Sequence, residues 1–65
     1  MKLVVKLYYL TEENITSLKK ETSHFRASIH TEDSVTTLTA YGAYDDLVYL
    51  IYISARLGQF EAHLI

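Results

Sequence analysis

The sequence predicts a small α+β domain, ordered strand-helix-strand-strand-helix, with a three-stranded mixed sheet and both helices on one face. Three observations predict it. Apolar and polar residues alternate with period two over residues 2–9 and again over 25–30, and a β-branched run resumes over 35–41, as in half-buried strands. A threonine, two glutamates and spaced aliphatic residues over 11–22 have the form of a capped amphipathic helix. An acidic pair, Asp45-Asp46, precedes a long apolar segment, and negative charge is favoured where a helix begins. The chain has 65 residues, room for a single compact domain over 1–65, and no linker or low-complexity tract divides it.

The first strand places Leu3, Val5, Leu7 and Tyr9 on one face and Lys2, Val4, Lys6 and Tyr8 on the other. In the helix that follows, Thr11 is placed to cap and Glu12 and Glu13 fill the first turn, while Leu10 and Ile15 hold the positions of a hydrophobic staple. Ile15, Leu18 and Thr22 form its apolar face. It should end between Thr22 and His24. Phe25, Ala27 and Ile29 then alternate with Arg26, Ser28 and His30 in a second strand. Thr31 to Ser34 supply turn residues, and Val35 to Tyr41 resume as a third strand, so the second and third strands form a hairpin. A right-handed crossover through the first helix would make the first two strands parallel neighbours, hence a mixed sheet.

Gly42 and Ala43 end the third strand. The segment Leu47 to Ile53 is apolar throughout, which fits a buried helix or, as the alternative, a fourth strand over residues 47–54. Helix is preferred because the pattern continues through Leu57 to Leu64 without a strong stop; Gly58 weakens such a helix by only about 1 kcal/mol relative to alanine.

Composition narrows the function classes. The chain is 49% hydrophobic and 22% charged without proline, the profile of a folded chain rather than a disordered one. A chain of this size hides only about 60% of its surface on folding, leaving roughly 4,200 Å² exposed, so burial and ordering entropy nearly cancel. With no cysteine, disulfides and thiolate zinc sites are excluded. Association with another subunit becomes the natural source of further stability.

Eight acidic against six basic residues give a net charge of −2, so no global field recruits nucleic acid or anionic lipid. The longest apolar run is far short of a bilayer span, and no small-residue cleavage site follows Leu3-Val4-Val5, so neither a membrane segment nor a signal peptide is expected. A cytoplasmic setting is the default.

No constellation carries chemistry. His24 and His30, at the ends of one extended strand, lie about 20 Å apart and cannot share a metal ion. Ser23-His24 is the only serine beside a histidine, and strand neighbours point to opposite faces with no nucleophile elbow around them. The acidic pairs sit at helix starts or turns, where capping explains them. No phosphate-binding glycine loop is present. No catalytic residue, metal or cofactor is assigned.

Two surfaces remain as candidates. The open sheet face gathers Lys2, Lys6, Tyr8, Arg26 and His30, a basic patch with an aromatic, of the kind on which single-stranded nucleic acid stacks. The C-terminal helix has more apolar surface than its own domain can cover, leaving Val48, Tyr49, Tyr52, Arg56 and Phe60 for self-association as a homodimer or higher oligomer. The expected function is therefore a small non-catalytic binding protein, a regulator acting by protein-protein interaction and self-association with a further, unidentified protein partner. A nucleic-acid module using the sheet face is the alternative. A small enzyme with an active site shared between subunits is the second.

Overall fold

Leu3, Val5 and Leu7 are wholly buried at alternate positions of β1 (Lys2–Tyr8), so one face of this strand is turned entirely to the core. The computed structural model describes residues 1–65, and β1 is followed by α1 (Glu12–Glu21), β2 (Arg26–Glu32), β3 (Val35–Tyr41), α2 (Tyr44–Leu57) and β4 (Phe60–Leu64). The sheet order is β2-β3-β1-β4. One cluster of buried aliphatics joins β1 and β3 to Leu18 of α1 and to Leu47, Leu50 and Ile53 of α2. Both helices thus cover the same face, as expected for the α+β class.

The sheet differs from the expected one in order and in strand number. β3 lies between β1 and β2, and every neighbouring pair is antiparallel, so β1 and β2 run in the same direction without touching. The reason is burial, since the strand with the more deeply buried inward face belongs in the middle of a sheet covered on one side. β3, with Thr36, Leu38 and Ala40 buried, takes the interior place; β2, with no fully buried residue, takes the edge. The result is the split β-α-β-β-α-β arrangement of ferredoxin-like domains, and fold alone assigns no function.

The fourth strand comes from 60–64, while residues 47–54 lie in α2, with Leu47, Leu50, Ile53 and Ser54 on its buried side. Gly58 makes the break. Its φ of 155° and ψ of −154° belong to a region open essentially to glycine, so the residue is a reversal of direction and not a weak point in a longer helix. Phe60, Ala62 and Leu64 then face the helices opposite Leu7, Val5 and Leu3.

Local chemistry supports the remaining elements. The Thr11 hydroxyl accepts from the Asn14 amide at 3.1 Å, and the Asn14 side chain donates to the Leu57 carbonyl at 3.4 Å, tying the start of α1 to the end of α2. Buried Thr22 and Ser54 donate their hydroxyls to the carbonyls one turn back, at 2.9 and 2.8 Å. The β2-β3 turn is two residues, Asp33 and Ser34, with φ of 50° and 67°, the mirror-image turn whose twist suits a hairpin. The accessible surface is 4434 Å², close to the value expected from mass.

Urea melts test these backbone assignments. Ser34→Gly should raise stability by about 1 kcal/mol by relieving a left-handed residue, and Gly58→Ala should lower it by about 1–3 kcal/mol. In the same assay Thr11→Ala should cost about 1 kcal/mol through the lost cap and Leu18→Ala about 2–5 kcal/mol through a core cavity. A neutral Gly58→Ala would mean that α2 runs on through the position.

Candidate functional site

The outer face of α2 follows from how its inner face is buried. Leu47, Leu50, Ile53 and Ser54 point to the sheet, which at 100° per residue turns Asp45, Tyr52 and Arg56 away from it and sets Tyr49 on the flank beside them. Their spacing of four, three and four residues is that of a coiled-coil seam. Tyr44, Val48, Tyr49 and Tyr52 are 58%, 40%, 47% and 59% exposed. Four large apolar or aromatic side chains on one helix face exceed the scattered exposure that needs no explanation.

Internal contacts hold part of this face in place. The Tyr49 ring stacks on Phe25 with centroids 6.2 Å apart, and the Arg56 guanidinium lies 5.8 Å over the Tyr52 ring, a cation-π contact that fixes both long side chains. Between α1 and α2 runs a groove of about 330 Å³, floored by Ile53 and Leu57 and walled by Ser17 and Glu21 on one side and Tyr49, Tyr52 and Arg56 on the other.

Four of the five residues expected on this surface are therefore together: Val48, Tyr49, Tyr52 and Arg56. Phe60 is not. It lies in β4, half-buried against the core and paired with Leu7, because the chain reverses at Gly58 before reaching it. Sequence reasoning passed over Asp45 as a helix-start charge, although its position four residues before Tyr49 already placed it on the seam.

The open sheet face brings together all five of its expected residues, in rows set by the register. Arg26, Tyr41 and Lys2 share one row, and His30, Thr37, Lys6 and Glu61 share another. The Lys2 ammonium lies 6.0 Å over the Tyr41 ring. β4 changes the electrostatics by adding Glu61 opposite Lys6 and His63 opposite Val4, and the His30 imidazole is 3.5 Å from the Glu32 carboxylate. Desolvation at the sheet surface, and then the Glu61 carboxylate beside it, raise the Tyr8 phenol above the usual tyrosine range. Glu61 and Glu32 thus set negative charge among the cations, whereas the Arg26-Tyr41-Lys2 row holds two cations.

No three His, Asp or Glu side chains converge on a point where a metal ion could sit. No helix is long and apolar enough to cross a membrane. No protein-family model matches the chain, and neither a curated protein nor a solved structure matches it.

Proposed function

We propose that this protein is a non-catalytic binding and regulatory module that works by protein-protein contact and associates with a second copy of itself through α2. The observation that carries the reading is the self-complementary order of the seam, Asp45-Tyr49-Tyr52-Arg56. When two such helices pack antiparallel about a two-fold axis, each Arg56 meets the Asp45 of the other copy and each Tyr49 meets a Tyr52. Opposite charges at the two ends fix the antiparallel register. Tyrosine and arginine supply contact area of the kind that dominates interface energies. The same charges also agree with the macrodipole of their own helix, Asp45 standing in its first turn and Arg56 in its last.

The nucleic-acid reading has less support. The sheet face offers three permanently charged cations, Lys2, Lys6 and Arg26, and sets Glu61 and Glu32 among them. Each carboxylate repels phosphate and reduces the counterion release that drives such binding.

Light scattering coupled to size exclusion, at tens of micromolar protein, should give a mass at least twice 7.5 kDa. Tyr52→Asp should lower that mass at least twofold while leaving the circular dichroism spectrum unchanged, because a residue 59% exposed contributes little to the monomer's own core. A wild-type mass of 7.5 kDa would end the reading. In fluorescence anisotropy, a single-stranded oligonucleotide should bind no tighter than about 10⁻⁴ M at physiological salt; micromolar binding weakened by both Lys6→Ala and Tyr8→Ala would move the function to the sheet.

A further inference from the structure

The hairpin geometry decides which way the main chain of β2 faces. In a two-residue hairpin the flanking residues, here Glu32 and Val35, exchange both hydrogen bonds. His30, Ser28 and Arg26 therefore bond to β3 in turn, and the amides and carbonyls of Thr31, Ile29 and Ala27 point outward from the sheet edge. β2 is seven residues long and its pairing with β3 is unbroken from Arg26 to Glu32. None of the usual guards is present: no proline, no bulge, and no charge at the inward positions Ala27, Ile29 and Thr31.

We propose that this edge pairs with the same edge of a second copy, antiparallel about a two-fold axis at Ile29, so that two four-stranded sheets become one. The contact is independent of the one through α2. Hydrogen-bond parity and side-chain chemistry agree on this register. Ile29 meets its symmetry mate and Ala27 meets Thr31 of the second copy, each through outward-facing main-chain groups. Arg26 then stands opposite Glu32 of the second copy, and Glu32 opposite its Arg26, on the open face. These are non-hydrogen-bonded positions, where cross-strand side chains are closest. Ser28 faces His30 of the second copy between them.

The helix side is equally suited. Phe25, Ala27 and Ile29 are only half-buried and border a groove of about 220 Å³ beside Lys19, Thr22 and Ser23, because α1 does not reach over the edge strand. A second β2 brings another Ile29 against this surface. Glu32 lies 3.5 Å from His30 of its own chain, but both side chains are about three-quarters exposed, so little is lost when Glu32 turns to an arginine. The opposite edge, β4, has five residues, and the same symmetry there would set Glu61 against a histidine rather than an arginine.

Charge reversal tests the register. Arg26→Glu alone and Glu32→Arg alone each place like charges opposite one another twice, whereas an equimolar mixture of the two variants, or the double variant R26E/E32R, restores both opposite-charge pairs. Measured by light scattering in the Tyr52→Asp background, which removes the α2 seam, the parent should be a dimer near twice 7.5 kDa. Each single reversal should fall to the monomer mass with an unchanged circular dichroism spectrum. The mixture and the double variant should return to the dimer. A monomeric Tyr52→Asp parent, or reversals without effect, or a mixture that stays monomeric, would overturn the β2 contact and leave the α2 reading standing. A Tyr52→Asp protein with wild-type mass that obeys the charge rule would support β2 pairing and remove α2.

Discussion

The fold depends on a single layer of aliphatic contact. Leu3, Val5 and Leu7 of β1, with Leu38 and Ala40 of β3, meet Leu18, Leu47, Leu50 and Ile53 of the helices, and there is no second layer behind the sheet. At about 25 cal/mol per Å² of apolar area, this layer must offset the ordering of the whole chain. Two helices of ten and fourteen residues suffice for the two inner strands and leave the edges half-covered. The antiparallel sheet, the polar open face and the incompletely covered edges all follow from having one layer only. So does the tyrosine-rich outside of α2, which its own chain covers only in part, through Phe25 against Tyr49 and Arg56 against Tyr52.

Most of the elements were legible in the sequence because each rests on local chemistry. β3 could be read from Val35 to Tyr41, and α1 from its threonine cap and acidic first turn. α2 was recoverable from Asp45 and Asp46 and the aliphatics behind them. The fourth strand was not, because Leu57, Phe60 and Leu64 have helical spacing while Phe60, Ala62 and Leu64 alternate as in a strand, and because a glycine such as Gly58 inside a helical pattern costs only about 1 kcal/mol. Its role depends on a backbone conformation that composition does not encode. Strand order was hidden for a different reason. The choice between β2 beside β1 and β3 beside β1 lies in long-range packing, namely which strand carries Leu38 and Ala40 to the middle of the core.

The candidate surfaces show the same division. Val48, Tyr49, Tyr52 and Arg56 were found because helical periodicity places them, whereas Phe60 was assigned to the helix by the error that also hid β4. That error distorted the sheet face as well. With Glu61 and His63 absent from the picture, Lys2, Lys6 and Arg26 read as a basic patch; with them present, Lys6 sits opposite a carboxylate. The reversal at Gly58 thus shapes both surfaces, taking Phe60 from the helix face and adding Glu61 to the sheet face.

Both proposed contacts are isologous, and their symmetry limits what they can build. Each places its charged residues at the ends and its uncharged residues at the centre, Asp45 and Arg56 around two tyrosines in α2, Arg26 and Glu32 around Ile29 in β2. In such an arrangement a shift of register, or a parallel approach, brings like charges together or strands a charge beside an apolar side chain, so the ends select the register while the centre supplies the attraction. One surface lies on the outer helix layer and the other along the sheet edge, and they adjoin where Tyr49 stacks on Phe25. Either alone closes as a dimer; together they close as a tetramer if the two axes intersect at right angles, as a larger dihedral assembly if they intersect at another whole fraction of a half-turn, and otherwise extend as an open chain. Because any contact made only by the folded state stabilises it by mass action, a domain with one thin core layer gains most from such partners, and its stability is then tied to its own concentration.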